Sequence, residues 1–176
     1  MRSKDKVYEE LLVASSRLGD RKSLEALIRF RSPKLFSHAC RLIGNRDEAG
    51  DIVQEAWLEI IQGLPGLRNP RAFSTWAYRI VSRRCAKTIA RNIKHRKLAV
   101  REAETPLHVL PIASEMRTIR AAIDQLPVGQ AAAIRLFYLE DFSIAEVGIA
   151  LDIPAGTVKT RLMHARKSLK STMKGD

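Results

Sequence analysis

The chain has 176 residues, 45% of them apolar, and carries 31 Lys+Arg against 19 Asp+Glu for a formal net charge of +12. That length suits one ordinary domain or two small ones, and that apolar share excludes a compositionally disordered chain. The charge is segregated: residues 1–62 hold 11 basic and 10 acidic side chains, 63–101 hold 11 and none, 102–155 hold 3 and 8, and 156–176 hold 6 and 1.

Two separated basic blocks are the footprint of a polyanion binder with two contact surfaces, because a merely solubilising face mixes both signs. From the N-terminus, "MRSKDKVYEELLVASSRLGD" lacks the continuous apolar core of a secretory leader. Short amphipathic helices are expected over 7–18 and 21–30, broken at Gly19-Asp20. A third begins at Ser32 as N-cap with Pro33 at its first position and ends at Gly44-Asn45. "DEAGDIVQEAWLEIIQGL" predicts a helix whose buried stripe is Ile52, Val53, Ala56, Trp57, Ile60 and Ile61. Its opposite face presents Asp51, Gln54, Glu55 and Leu58 at i, i+3, i+4 and i+7. An acidic patch with an apolar residue repels DNA and suits a protein partner.

"GLPGLRNP", residues 63–70, is a turn-rich break. A long helix follows over about 71–97, with Phe73, Trp76, Ala77, Ile80, Val81 and Ile89 on its apolar side. Arg71, Arg79, Arg83, Arg84, Lys87, Arg91 and Lys94 are interleaved there with Phe73, Trp76 and Tyr78. Basic charge tracks a backbone and aromatic faces receive unstacked bases in single-strand binders, although Trp76 is assigned to the core. Cys40 and Cys85 belong to no CxxC or zinc-spaced group and the four histidines are scattered, so a reduced protein without metal or cofactor is expected. No stretch approaches the ~18 apolar residues of a membrane span, so no membrane insertion and a cytoplasmic location are expected.

"AVREAETPLHVLPIA" has two prolines and no period, which predicts an interdomain linker over 98–113. The pattern is helical again from Ser114 to Asp176. Ser143 and Glu146 form a capping box that starts a helix at Ile144, running to Leu151 with Ile144, Val147 and Leu151 inward. In "DIPAG", Ile153 is expected as an apolar plug, and Pro154 and Gly156 as the residues that force the turn. Thr157 is expected to cap the last helix, whose inward stripe is Val158, Leu162, Ala165 and Leu169. Short helix, tight turn and basic second helix make a helix-turn-helix, whose second helix enters the major groove N-terminus first. Lys159, Thr160, Met163 and His164 then face base edges, while Arg161, Arg166, Lys167 and Lys170 suit phosphates. The expected fold class is all-α: two small helical domains, 1–97 and 114–176, joined by a flexible linker.

"GDIVQEAWLEI", "FSTWAYRI", "IDQLPVGQAAAIRLFYLEDFSIAEVGIAL" and "IPAGTVKTRLMHARKSL" together resemble bacterial RNA polymerase sigma factors of the extracytoplasmic-function (ECF) subfamily. The resemblance spans roughly residues 7–172, in the family's order. It implies that Asp51, Gln54, Glu55 and Leu58 contact core RNA polymerase. It also implies that the loop around Leu64–Ser74 holds a flipped-out base of the −10 promoter element, with Arg68, Arg71, Ser74, Arg79, Arg83, Arg84 and Lys87 on that DNA. It places Thr157, Lys159, Thr160, Arg161, Met163, His164, Arg166 and Lys167 on the −35 element, the linker in the RNA-exit path, and an anti-sigma factor among the partners. The chain departs from the family's usual pattern at Arg83 and Lys87, where Asn and Asp are common, and at His164, where a further basic residue often stands.

Two other function classes compete. A stand-alone helix-turn-helix regulator accounts for residues 114–176 but leaves the acidic face and the acid-free block without roles. An enzyme acting on nucleic acid has no paired carboxylates near the basic surfaces, no glycine-rich phosphate loop and no activated nucleophile in its favour.

Overall fold

The computed structural model describes the backbone of residues 4–98 and 121–174 and the side chains of 4–93 and 121–172. Contacts divide the chain into two compact units, Met1–Val100 and Arg101–Asp176. Except for Leu98, the expected linker lies outside the described residues, as does the first stretch after Ser114.

The first unit holds α1 (Lys4–Arg17), α2 (Arg21–Ile43), α3 (Arg46–Gly63) and α4 (Phe73–Leu98), with 3-10 turns Leu64–Gly66 and Pro70–Ala72 between the last two. Gly19 takes a left-handed φ of 91°, which turns the chain after α1, and the Asp20 carboxylate then caps α2 by accepting from the Lys22 N–H. The sequence predicts a new helix opening at Ser32, but α2 is a single helix of 23 residues with Pro33 inside it. An interior proline forfeits a backbone hydrogen bond and costs ~3 kcal/mol. Leu27 and Leu35 are fully buried and Arg31 nearly so, so tertiary packing on both sides of Pro33 carries the helix through. Gly44, at φ 77°, closes α2 by donating to the Cys40 carbonyl.

Asn45 opens α3, its side chain accepting from the Asp47 and Glu48 N–H groups. The stripe Ala49, Ile52, Val53, Ala56, Trp57 and Ile60 is buried, whereas Ile61, expected within it, is exposed. This stripe packs between α2 and α4, where Phe73, Ala77, Ile80, Val81 and Cys85 are also buried. Ile89, predicted on that apolar side, is 38% exposed. Behind this core His38 bonds Ser82 Oγ at 2.9 Å and sits edge-on to Tyr78. Burial, and then the Arg41 charge, lowers the His38 pKa from 6.5 to about 3, so the imidazole is neutral.

The second unit contains α5 (Val128–Tyr138), α6 (Ile144–Leu151) and α7 (Ala155–Lys174). Ala131, Ala132, Ala133, Ile134, Arg135 and Leu136 are all buried in α5, the small side chains letting neighbours approach closely. Arg135 pairs there with Asp124. The capping box is formed as predicted: the Ser143 N–H donates to Glu146 Oε2 at 2.7 Å and the Glu146 N–H donates to Ser143 Oγ at 3.2 Å.

The turn after α6 works differently from its predicted form. Asp152, not a glycine, takes the left-handed conformation (φ 55°, ψ 47°), which Asp tolerates better than most residues. The Ile153 N–H then donates to the Gly148 carbonyl at 3.0 Å. Gly148 is required here, because an added Cβ would lie 2.9 Å from the Ile153 carbonyl oxygen. An added Cβ on Gly156 would meet nothing within 4 Å, so Gly156 does not force the turn. Ile153 is half-buried rather than a sealed plug, and α7 already begins at Ala155, leaving Thr157 inside the helix rather than at its cap.

Candidate polymerase and nucleic-acid surfaces

Asp51, Gln54, Glu55 and Leu58 are all exposed along α3, opposite its buried stripe. Gln54 and Leu58 also border a groove of about 610 Å³ between α2 and α3, whose walls include Ile28, Phe36, Val53 and Trp57. The buried Trp57 indole N–H finds no acceptor among the described residues. Apolar walls with an amide on the lip suit a protein surface that offers an apolar side chain. Sequence reasoning found the lip and missed the groove, because its far wall comes from another helix.

Arg83 and Arg84 of α4 are not loose charges. Arg84 Nη1 lies 2.6 Å from Glu55 Oε2, while its Nη2 and Nε reach Glu59 Oε2 at 2.8 and 3.1 Å. Arg83 takes the other Glu59 oxygen. Arg71 Nε stands 3.4 Å from Glu10 Oε2, and Arg68, Arg79 and Lys87 are exposed. Solvent-accessible pairs of this kind are worth only ~0–1 kcal/mol, so phosphates can replace the acids at little cost. In the structure these acids set the direction in which the Arg71, Arg83 and Arg84 guanidiniums point. Glu59 was missed by sequence reasoning, although Glu55 and Glu59 stand at i and i+4 and so share a face of α3.

The aromatics do not form an open platform. Phe73 and Tyr78 are buried, at 0% and 2% exposure, and the core claims them. Trp76 is half-buried, edge-on to Phe73 with centroids 6.3 Å apart, and covers Gly63 so closely that a Cβ there would lie 2.8 Å from its ring. Ser74 is engaged inside the protein: its hydroxyl donates to Glu9 Oε2 at 2.5 Å and accepts from Arg31 Nη2 at 2.8 Å.

On α7 the stripe Val158, Leu162 and Ala165 is buried and Leu169 half-buried, which leaves Lys159, Thr160, Met163, His164, Lys167 and Lys170 exposed. No acidic residue occurs in the helix. Thr157 is half-buried, and the Thr160 hydroxyl donates back to the Gly156 carbonyl at 3.1 Å. Two of the predicted phosphate contacts lean on their own unit. The Arg161 guanidinium rests where a Cβ on Gly129 would be 2.9 Å away. Arg166 donates from Nε to the Tyr138 hydroxyl at 3.0 Å and lies 5.8 Å from the Phe137 ring centroid. Short capped helix, Asp152 turn and long basic helix make a helix-turn-helix whose second helix offers an acid-free outer face.

Known proteins share this arrangement. The family model for sigma-70 region 2 matches residues 27–94, and that for sigma-70 region 4 matches residues 116–169. The ECF RNA polymerase sigma factor SigW of Bacillus subtilis is 30% identical over 171 residues, spanning 89% of this chain and 91% of the relative. The ECF RNA polymerase sigma-E factor of Escherichia coli is 28% identical over 181 residues, 94% of each chain. Among solved structures, the sigma factor RpoE of Bartonella quintana, crystallised with the anti-sigma factor NepR, matches with a TM-score of 0.71 at 20% identity, covering 88% of this chain and 99% of that one. The α3 face, the Arg-rich helix and the helix-turn-helix fall within the two matched regions in the expected order, and the chain belongs to the ECF family of RNA polymerase sigma factors, which direct promoter-specific transcription initiation.

Proposed function

We propose that the two units divide promoter recognition between them, with residues 1–97 acting on core polymerase and the −10 element, 98–113 as the tether, and 114–176 on the −35 element. In this reading Asp51, Gln54, Glu55 and Leu58, with the adjoining groove, dock on core RNA polymerase. Arg68, Arg71, Arg79, Arg83, Arg84 and Lys87 line the strand melted at −10. Lys159, Thr160, Met163 and His164 lie at −35 base edges, with Arg161, Arg166, Lys167 and Lys170 toward phosphates and Thr157 at the leading end of the same helix. The protein carries no chemistry of its own, works in the cytoplasm, and has an anti-sigma factor as a further partner, on the precedent of the Bartonella complex.

One observation carries the reading: an acid-free helix-turn-helix face and an arginine-rich helix beside an acidic, groove-bearing face occur in separate units of one chain. A stand-alone regulator needs only the first. The test is transcription with purified core polymerase. Promoter-dependent initiation that requires this chain is expected, and Asp51→Arg should weaken core binding while leaving duplex −35 binding in place. Tight operator binding without core and without initiation would instead favour the regulator.

A further inference from the structure

The capture loop between α3 and α4 is anchored by residues that no local pattern connects. Glu9 and Arg31 are 5% and 4% exposed. Arg31 Nε and Nη2 close on Glu9 Oε1 at 2.6 and 2.5 Å, and both residues meet the Ser74 hydroxyl at the start of α4. Three helices are thereby joined at one buried polar point: α1 through Glu9, α2 through Arg31 and α4 through Ser74. The next residue of α1, Glu10, reaches Arg71 at 3.4 Å on the turn just before α4. At the other end of the loop, Gly63 has no room for a side chain because Trp76 lies across it. Between these anchors Leu64 is buried, and Asn69 caps the Pro70–Ala72 turn by accepting from the Arg71 N–H at 3.0 Å.

A buried ion pair is a poor source of stability, since desolvation offsets most of its attraction, and its best-attested use is to specify one geometry. Here it lies directly beneath the end of the loop. We propose that Glu9, Arg31 and Ser74 are the positioning residues of the −10 capture loop, fixing residues 64–72 in the shape that receives an unstacked base. They act on DNA only through that loop, so Ser74 serves promoter melting from inside the fold rather than as a direct DNA contact. The inference rests on the promoter-melting reading above. It matters energetically because extruding a base costs a few kcal/mol, which only a preformed receptor repays without a further ordering cost.

The test uses Ser74→Ala, which removes the hydroxyl and spares the ion pair, and Glu9→Gln, which removes the charge. In the free chain, amide exchange between 64 and 74 should rise roughly tenfold in both variants while α5 to α7 stay as in wild type. In holoenzyme, the fluorescence rise of 2-aminopurine placed at the flipped position of the non-template strand should fall several-fold. The double variant should fall no further than Glu9→Gln alone, because both substitutions open the same joint. Unchanged exchange in the loop overturns the inference. So does faster exchange with undiminished base capture, which would make the joint structural only. If both variants capture as well as wild type does, the inference alone fails; if wild-type holoenzyme captures no base, the promoter-melting reading fails and the inference with it.

Discussion

The two basic surfaces of this protein carry their charge in different ways. In the first unit arginines dominate and are tied to acids from neighbouring helices: Arg83 and Arg84 to Glu55 and Glu59, and Arg71 to Glu10. In the second, α7 contains no acid, its arginines at 161 and 166 lean on Gly129 and Tyr138, and lysines stand outward with Thr160, Met163 and His164. The difference follows from what each surface would hold. Duplex phosphates sit at fixed spacings, so point charges on a rigid helix can meet them. A melted strand has no fixed shape, so on the proposed division of labour the protein would have to supply the shape, and preoriented guanidiniums would do so.

Acid should separate the two units most strongly. The His38 pKa is lowered to about 3 in the fold from an ordinary 6.5, so between those values the unfolded chain binds the extra proton. Stability is therefore full above pH ~6.5 and falls as the pH drops below it toward the folded value. Both tryptophans, Trp57 and Trp76, lie in the first unit, so urea midpoints read by tryptophan fluorescence at pH 7 and pH 5 report that unit alone. The midpoint should drop at pH 5, and His38→Gln should flatten the dependence; equal midpoints in wild type would contradict a buried neutral His38.

Gly148→Ala strikes the other unit. Its methyl would press on the Ile153 carbonyl, and overpacking of this kind costs ~1–3 kcal/mol. Duplex −35 affinity should fall while the tryptophan transition stays in place. A variant that reads −35 DNA normally would show that the turn has slack the structure does not display.

The smallest effect is expected at Glu59→Gln, which takes one partner from each of two arginines at ~0.2–1 kcal/mol per exposed pair. Binding to random single-stranded DNA should strengthen slightly and become more salt-dependent, because freed guanidiniums exchange counterions for phosphates. Preference for the −10 sequence should weaken at the same time. If the preference held, the acids would not be orienting the arginines, and the contrast between the surfaces would reduce to charge density.

Local chemistry is legible in the sequence, and contacts between helices are not. Gly44 as a helix stop and the Ser143–Glu146 capping box each involve residues a few positions apart, and both stand as predicted. Pro33 misleads because its local penalty is outweighed by packing at buried Leu27 and Leu35, and sequence alone does not show which helices α2 packs against. Thr157 misleads because the chain already turns at Asp152, so α7 starts three residues earlier than a Thr157 cap would place it. On α7 the buried stripe and the outward set follow from helical period, while the contacts of Arg161 with Gly129 and of Arg166 with Tyr138 were hidden. The Glu9–Arg31–Ser74 joint, by contrast, spans separations of 22 and 65 residues and leaves no periodic signal.

The division of labour between the units is tested most directly by selecting promoters from a randomised library with core polymerase and the intact chain. Two sequence boxes are expected in the selected promoters. Lys159→Ala with Thr160→Ala should change the upstream box alone, at ~1–3 kcal/mol per lost base contact, and Arg83→Ala with Arg84→Ala the downstream box alone. A single box, or an α7 variant that rewrites the downstream one, would contradict the account.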